Sequence, residues 1–265
     1  QMRADEECIT IHFMYDPYSI PYPNLTGTPI GADNTTLEDA RRVIHDYKLE
    51  DRLPKSVVDY LMHCGPEGET AKEFPEFTYY GINSLPDSCQ YAKEIAESMG
   101  VRAMVLSSFL EGESKDVGTV FAALAREIQT YGNPIQPPCV IISAGETTTK
   151  IADNSMIKGH GGPGQELTAS FALSAYKAPG ACMLSIDSEG TDGTTPIAGG
   201  ITDSKTYGYA EKKDVDLHEA LRTHACYEAL TELNCDVFTG NTGTNVCDFN
   251  VLYVPEIKDK VRQHL

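Results

Sequence analysis

Four glycine-rich segments combine bare backbone with a few polar side chains. They are SAGET at 143–147, GHGGPGQE at 159–166, DSEGTDGTTPIAGG at 187–200 and TGNTGTNVCD at 239–248. Backbone N–H groups in such loops can form a concave nest for an anion. We therefore expect a phosphate or carboxylate to bind here. The simpler alternative is a set of flexible surface loops.

The segment GHGGPGQE is typical of a loop that leads into a helix. Pro163 suits the first helical position, because its φ is already helical and its missing N–H is not needed there. The N–H groups of Gly161, Gly162 and Gly164 would then face an anion at the helix N-terminus. Lys158, just upstream, is a candidate counter-charge, although a solvated loop lysine is an equally good interpretation.

Carboxylates follow two of the predicted strands. Glu146 comes directly after Gly145, and Glu189 and Asp192 lie in the next strand-end loop. Carboxylates in such positions, without a basic patch, suit Mg²⁺ that arrives with a nucleotide. We therefore predict metal or substrate contact here. The alternative is that Asp192 and Thr191 only cap their own turn.

Three further polar residues of these loops allow two interpretations each. Asn245 and Asp248 could orient a ligand or only hold their loop. His160 could act as a base or a phosphate donor, but a histidine in a loop is more often a bystander.

The same loop contains a literal GxGxxG pattern. Its glycines are Gly159, Gly161 and Gly164, and Asp187 follows at a later strand end, as in a dinucleotide site. In a Rossmann fold the first strand runs straight into the first glycine, whereas residues 153–158 intervene here. A nicotinamide cofactor is therefore the weaker alternative.

Charge and composition exclude several classes of partner. The chain has 265 residues, 41% of them apolar, and a formal net charge of −18, so nucleic acid and anionic membranes would repel it. There is no P-loop, no protein-kinase motif set and no zinc-type cysteine spacing. The eight scattered cysteines, without a signal peptide or a long apolar run, favour reduced thiols and a cytoplasmic location.

Short apolar runs alternate with amphipathic segments. This pattern predicts an α/β fold, with a mostly parallel or mixed, Rossmann-like sheet and helices on both faces. Ligand loops are expected at the carboxyl ends of the strands. Strands are predicted at 77–82, 102–109, 137–145, 147–152, 181–187, 236–240 and 249–255. Helices are predicted at 36–51, 54–65, 88–100, 115–132 and 164–177, with one or two helices within 216–234. Thr36 and Asp39 resemble a capping box at the start of the first helix.

Four motifs occur in the order found in a known family. SAGETTTKI, GHGGPGQELTASFAL, SEGTDGTTPIAGGITD and TGNTGTNVCDFNVLYVP resemble the MOFRL domain of the class II glycerate 2-kinases, members of which are often named hydroxypyruvate reductase. The MOFRL-like region is 139–255. Upstream, TGTPIGADNTTLEDARRVI, Asn83 and SFLEGESKDVGTVFAALARE also resemble family segments, so the resemblance covers about residues 20–255.

The resemblance implies transfer of the ATP γ-phosphate to the 2-hydroxyl of D-glycerate with Mg²⁺, in a cleft between two α/β domains. A nucleotide and a small hydroxy acid would be the ligands. Catalytic roles are then expected for Asp192, Glu146 and Lys158. Metal contact is expected for Asp192 and Glu189. The substrate- or phosphate-binding set is Gly145, Gly161, Gly162, Gly164, Gln165, Glu166, Thr191, Gly193 and Asn245.

The sequence departs from the family pattern at two places. The family's GGRNQE reads GGPGQE, so Pro163 replaces an arginine expected to meet substrate or phosphate. The family's GTDG-x-DGPTDAAG keeps acidic residues at Glu189 and Asp192 but has Pro196 in place of a later Asp. A related hydroxy acid as substrate is a reasonable consequence.

The polar segment 65–76 divides the chain into two expected parts: 1–66, the end of an N-terminal kinase-type domain, and 77–265, a C-terminal α/β domain. Family members carry a longer N-terminal domain with a nucleotide-binding region and a catalytic lysine. A second polypeptide, a longer chain or a repurposed site would explain the difference, and a homodimer is a further arrangement. The alternatives to a kinase are a non-catalytic nucleotide or sugar-acid binding module and an NAD(P)-dependent hydroxypyruvate reductase.

Overall fold

The computed structural model describes Asp33, residues 35–72 and residues 84–257. The chain divides into two units, Gln1–Gly81 and Ile82–Leu265. The predicted strand at 77–82, Asn83 and the family-like residues before Asp33 lie outside the described residues.

The described part of the first unit is a pair of short helices. Helix α1 spans Leu37–Asp46 and helix α2 spans Lys55–His63. The Thr36 side chain accepts from the Asp39 N–H while the Asp39 carboxylate accepts from the Thr36 N–H, so α1 begins at a capping box, as predicted. The Arg41 guanidinium donates to the carbonyl of Leu61, which ties α1 to α2.

The second unit is an α/β structure with alternating elements, in agreement with the predicted class. None of the helices within 35–72 and 84–257 is long and apolar enough to span a membrane. The elements of this unit are α3 (Leu85–Ser98), β1 (Arg102–Leu110), α4 (Ser114–Tyr131), β2 (Cys139–Gly145), α5 (Pro163–Ala175), β3 (Cys182–Asp187), β4 (Gly199–Asp203), α6 (Thr206–Lys212), α7 (Leu217–Arg222), α8 (Cys226–Glu232), β5 (Asp236–Val237) and β6 (Asp248–Val254).

The six strands form one mixed sheet in the order β1-β2-β6-β3-β4-β5. Only β1 and β2 pair in parallel, whereas β6 lies antiparallel between β2 and β3, and β4 is antiparallel to both of its neighbours. The prediction of a strand at 147–152 was wrong. That segment makes a single parallel bridge, between Thr148 and Glu113, and continues as a loop.

This topology brings strand ends of both polarities to one edge of the sheet. The carboxyl ends of β1, β2 and β3 lie beside the amino ends of β6 and β4, so Gly145 and Asp187 are both direct register partners of Asp248. The predicted ligand loops therefore meet at one edge. Two of them adjoin antiparallel strands: the loop 187–200 joins β3 to β4, and the loop 239–248 precedes β6. We call this the loop edge.

Helices cover both faces of the sheet. On one face α4 and α5 pack over Ile141, Met183 and Leu252 through Phe121 and Phe171. On the other face α3 packs over β1 and β2, with its buried Cys89 in the same apolar cluster as Ile142. Helices α6, α7 and α8 cover the outer side of α5. As a result α5 is buried all round, which holds its N-terminus firmly at the loop edge.

The α4–α5 contact depends on a glycine in mid-helix. A Cβ added at Gly118 would lie 2.2 Å from the Leu167 carbonyl oxygen and 3.0 Å from the Phe171 nitrogen. Both atoms belong to the backbone of α5, so neither can rotate away as a side chain could. Gly118 therefore sets the distance between the two helices.

We expect Gly118→Ala to destabilise the protein, although alanine is the better helix former. Separating two buried helices costs about 1–3 kcal/mol, which outweighs the propensity gain of about 1 kcal/mol. The matched control is Gly208→Ala in α6, where an added Cβ meets nothing within 4 Å. Urea unfolding should show a lower unfolding free energy for the first variant and an unchanged or higher one for the second. A gain in both would contradict the packing argument.

Candidate functional site

The N-terminus of α5 is occupied by a carboxylate of the protein itself. Helix α5 begins at Pro163, as predicted, and its N-cap Gly162 has no side chain to cap it. Instead, Asp192 Oδ2 accepts from the Gln165 N–H at 2.9 Å, and the Gly164 N–H also stabilises this carboxylate. Asp192 is 1% exposed. The anion expected at this helix end is thus provided by the loop after β3.

Two glycines let these loops approach each other closely. A Cβ at Gly162 would lie 2.1 Å from Asp192 Oδ1, and a Cβ at Gly193 would lie 2.3 Å from the Gly161 carbonyl oxygen. Gly193 also has a φ of 63°, a conformation that favours glycine. The glycines therefore serve close backbone contact, and loop flexibility is not needed to explain them.

Gln165 completes this contact from the first turn of α5. Its side-chain amide donates to the Asp192 carbonyl at 3.1 Å and to Thr195 Oγ1 at 2.9 Å. Its own Oε1 is buried and has no partner among the described residues. Gln165 thus positions the Asp192 turn, while one acceptor is left for a water or a ligand.

The third loop is tied to the same turn. Glu189 accepts from Thr191 Oγ1 at 2.9 Å and from Asn245 Nδ2 at 2.9 Å. Ser188 and Val246 are joined by a hydrogen bond of 2.7 Å. Glu189, Thr191 and Asn245 therefore lie together, as expected for one site. Both Glu189 carboxylate oxygens already accept a hydrogen bond.

The SAGET segment brings the end of β2 to the start of β6. Gly145 has a φ of 151°, and a Cβ there would lie 2.3 Å from the Leu110 carbonyl oxygen, so only glycine fits. Thr147 donates from its N–H to Asp248 Oδ2 at 3.3 Å. Glu146 is exposed beside them, and its charge acts on Asp248.

Three buried or half-buried aspartates form an acidic row at the loop edge. Burial, the largest effect, raises the pKa of Asp192 to about 6, against its hydrogen bonds from Gln165. Burial and the charge of Asp192 raise the pKa of Asp248 to about 8. The pKa of Asp187 is also raised, again mainly by burial. These carboxylates repel one another, so a bound cation would stabilise them.

The described residues fit a metal ion brought by a ligand better than a resident metal. Within 35–72 and 84–257 no three His, Cys, Asp or Glu side chains are grouped closely enough to hold an ion. Mg²⁺ in phosphate-transfer sites is usually held by one or two carboxylates together with phosphate oxygens. Asp192, one of the two predicted metal contacts, lies in the acidic row and could serve as such a carboxylate.

The segment before α5 rests on the corner between α7 and α8. The Lys158 N–H donates to the Thr223 carbonyl at 2.9 Å, and Lys158 Nζ pairs with Glu219 at 3.1 Å. His160 donates from its N–H to the Glu228 carboxylate and also contacts it through Nδ1 at 2.8 Å. The Lys158 side chain is 62% exposed, and its partner is on α7, not in the acidic row.

Glu166 points to the other side of α5 from Asp192. Its Oε1 lies 2.7 Å from Nδ1 of His224, in the short connection between α7 and α8. Sequence reasoning missed His224, because it falls within 216–234, a stretch that reads as one or two helices. The positive φ of His224, 54°, marks the break in that helix and is not evident from residue type.

The GxGxxG pattern is not arranged as a dinucleotide turn. β2 ends at Gly145, and a short 3₁₀ helix at Asn154–Met156 separates it from Gly159. A Cβ at Gly159 would lie 2.5 Å from the Ala225 Cβ, so this glycine faces the α7–α8 corner. Strand-to-glycine continuity, which the Rossmann site needs, is therefore absent from residues 139–164.

The sheet with its interlocked glycine loops defines a class of protein. Residues 139–248 match the model of the MOFRL family. This part of the chain belongs to the MOFRL family, as the sequence motifs indicated.

Known relatives carry the same fold over a longer chain. The chain is 37% identical over 223 residues to a glycerate 2-kinase of Pyrococcus horikoshii, covering 82% of this chain and 49% of the relative. It is 32% identical to an Agrobacterium vitis protein with a hydroxypyruvate reductase name, covering 85% and 57%. The crystal structure of a Thermotoga maritima glycerate kinase matches with a TM-score of 0.70 at 28% identity, covering 84% and 51%. The chain thus spans about half the length of these relatives.

The raised pKa of Asp248 predicts a pH-dependent effect of its removal. Its pKa in the folded protein, about 8, lies above the ordinary value of 3.8. The contribution of the carboxyl group to folding is therefore fully present below its unfolded pKa and is lost as the pH rises through about 8. The amide of Asp248→Asn cannot ionise, so we expect this variant to gain unfolding free energy over the wild type as the pH rises from about 5 to about 8.

Urea unfolding at both ends of this range measures the difference. Asp153→Asn is the matched control, because the pKa of Asp153 is lowered by its hydrogen bonds with Ser155 and the group stays ionised throughout. Its effect on stability should be the same at both pH values. An Asp248→Asn effect that does not change with pH would contradict the proposed charge repulsion.

Proposed function

We propose that this chain is the C-terminal part of a phosphotransferase that resembles glycerate 2-kinase. The reaction would transfer the γ-phosphate of ATP to the 2-hydroxyl of D-glycerate or a related hydroxy acid. Because the chain spans about half the length of its relatives, the remaining parts of the site would come from a preceding domain or a second polypeptide. A homodimer is an additional arrangement to test.

One observation carries this proposal. Asp192, buried at the N-terminus of α5, is held by Gln165 and enclosed between Gly162 and Gly193. A buried carboxylate with a pKa raised to about 6 is costly unless it serves a purpose. In a phosphotransferase it would face the metal-bound phosphate or the reacting hydroxyl.

The open N–H groups of the glycine loop support a phosphate or carboxylate at this edge. Among the described residues, the N–H groups of Gly161 and Gly162 have no acceptor. They neighbour the helix end that Asp192 occupies, so an anion bound there would lie next to Asp192. Mg²⁺ between the two would remove their mutual repulsion, and this is the chemistry the metal would supply.

Each of the other predicted residues would have a different role in this proposal. Glu189, with Asp192, would face the Mg²⁺ carried by ATP. Glu146 lies exposed at the end of β2. Thr191 and Asn245 would hold Glu189 in place. Lys158 would have to leave Glu219 to reach a phosphate.

A hydroxypyruvate reductase is the second candidate, motivated by the name of the Agrobacterium vitis relative. The separation of β2 from Gly159 disfavours it. A non-catalytic binding module is the third, motivated by Pro163 in place of the family arginine. A cytoplasmic location stays a prediction.

The test is an assay of D-glycerate with ATP and Mg²⁺, using the polypeptide that contains this chain together with any preceding domain. ³¹P NMR of the product distinguishes the 2-phosphate from the 3-phosphate. We expect Asp192→Asn to reduce kcat by at least about a hundredfold, because it removes a charge from the reacting centre. Circular dichroism should show that the variant remains folded.

Asp153→Asn, in an exposed loop of the same chain, should retain normal turnover. Hydroxypyruvate with NADH or NADPH is assayed in parallel. If NADH or NADPH is oxidised and no phosphorylated product forms, the reductase would replace the kinase as the proposed function. Tight nucleotide binding with neither product would favour the binding module.

A further inference from the structure

His224 is held in a conformation that needs an explanation. It lies between α7 and α8 with a φ of 54°, in the left-handed region. For a residue with a Cβ this conformation costs about 1 kcal/mol or more. A glycine or asparagine would relieve the strain, so the imidazole is a candidate for a specific role.

Glu166 orients the ring of His224. The Nδ1 atom lies 2.7 Å from Glu166 Oε1, and the Glu166 side chain is 2% exposed. The second oxygen, Oε2, is buried with no partner among the described residues. A carboxylate at Nδ1 fixes the imidazole so that Nε2 faces away from it. The His224 side chain is 16% exposed.

Nε2 is an open position, whereas the neighbouring cationic side chains are engaged. Lys158 pairs with Glu219, and His160 pairs with Glu228. In residues 84–257 no hydrogen bond to Nε2 of His224 is formed. Within the described residues, His224 therefore keeps one ring nitrogen without a hydrogen-bond partner, whereas the Lys158 and His160 side chains are paired.

His224 also adjoins the open N–H groups of the loop. A Cβ at Gly161 would lie 3.6 Å from the His224 carbonyl oxygen. On either side of this contact the loop is fixed by hydrogen bonds, from the Lys158 N–H to Thr223 and from the Tyr227 N–H to His160. The backbone of His224 and the loop that carries the N–H groups of Gly161 and Gly162 are thus held against each other.

We propose that His224, oriented by Glu166, binds an oxyanion of the ligand through Nε2–H, together with the N–H groups of Gly161 and Gly162. The oxyanion is a carboxylate of a hydroxy acid or a phosphate group. This inference rests on the proposed function and assigns a binding residue to the same site. Glu166 acts as a positioning residue, because it reaches the ligand only through the imidazole.

Several charged groups surround this pair. Glu166 faces the ring from α5, and the charges of Glu113 and Lys115 at the start of α4 act on Glu166. Cys226, at the start of α8, lies within the influence of both Glu166 and Asp192. Because Nδ1 is held by Glu166, a proton on Nε2 would be free to donate to an oxyanion.

The test compares two variants that remove different halves of the imidazole. In His224→Asn the amide nitrogen takes the place of Nδ1, so the Glu166 contact is kept, and asparagine tolerates the positive φ. In His224→Gln the amide reaches toward the position of Nε2 but loses Nδ1. Calorimetry measures binding of D-glycerate and, separately, of sulfate, a phosphate analogue. Neither probe changes its charge between about pH 6 and about pH 8, so any pH dependence belongs to the protein.

We expect His224→Asn to bind one of the probes at least about tenfold more weakly, because a hydrogen bond to the anion is lost. Its melting temperature should be unchanged or higher. Weaker binding of D-glycerate alone assigns His224 to the substrate carboxylate. Weaker binding of sulfate alone assigns it to a phosphate.

Two results would overturn the inference. Wild-type affinity in His224→Asn for a probe that the wild type binds would remove His224 from the site while leaving the proposed function intact. Failure of the wild-type polypeptide, together with any preceding domain, to bind either probe would also overturn the inference, while the assay of D-glycerate with ATP decides the proposed function separately. A ¹⁵N spectrum of the histidines gives an independent reading, since binding should shift Nε2 of His224 and leave Nε2 of His160 unchanged.

Discussion

The hydrogen bond from the Gln165 N–H to the Asp192 carboxylate is the constraint on which the loop edge depends. A helix N-terminus needs an acceptor, and Gly162 has no side chain to provide one. The acceptor comes from a turn 27 residues further along the chain. That turn can reach α5 only because Gly162 and Gly193 carry no Cβ. The cap of α5, the two glycines and the contact between the two loops therefore depend on one another.

The same arrangement explains why α5 is buried on every side. Helix α4 contacts it through Gly118, the sheet lies beneath it, and α6 to α8 cover its outer side. A helix fixed in this way cannot tilt, so the positions of Asp192 and Glu166 are fixed with it. Its first turn therefore holds two carboxylates in place: that of Asp192, which accepts from the Gln165 N–H, and that of Glu166, which contacts His224. Rigid elements that support a site in this manner are typical of catalytic centres.

Local sequence signals predicted local structure well. Pro163 marked the start of α5, Thr36 and Asp39 marked the start of α1, and the apolar runs located the main strands. The insertion of antiparallel β6 between β2 and β3 could not be predicted, because strand order depends on contacts far apart in the chain. For the same reason Asp192 was expected to face a ligand or cap its own turn, and its role as the cap of α5 was not foreseen. His224 carried no signal, since its partner Glu166 is 58 residues away.

The negative charge of the loop edge favours the binding of a cation. A chain with net charge −18 already repels itself, and Asp187, Asp192 and Asp248 add to this cost in a buried place where their pKa values rise. Hydrogen bonds from Thr147 and Gln165 offset only part of it. Within the described residues the basic side chains nearest the glycine loop are paired with Glu219 and Glu228. Protonation of Asp248, whose pKa is raised to about 8, relieves part of the repulsion, and a bound cation would relieve more of it.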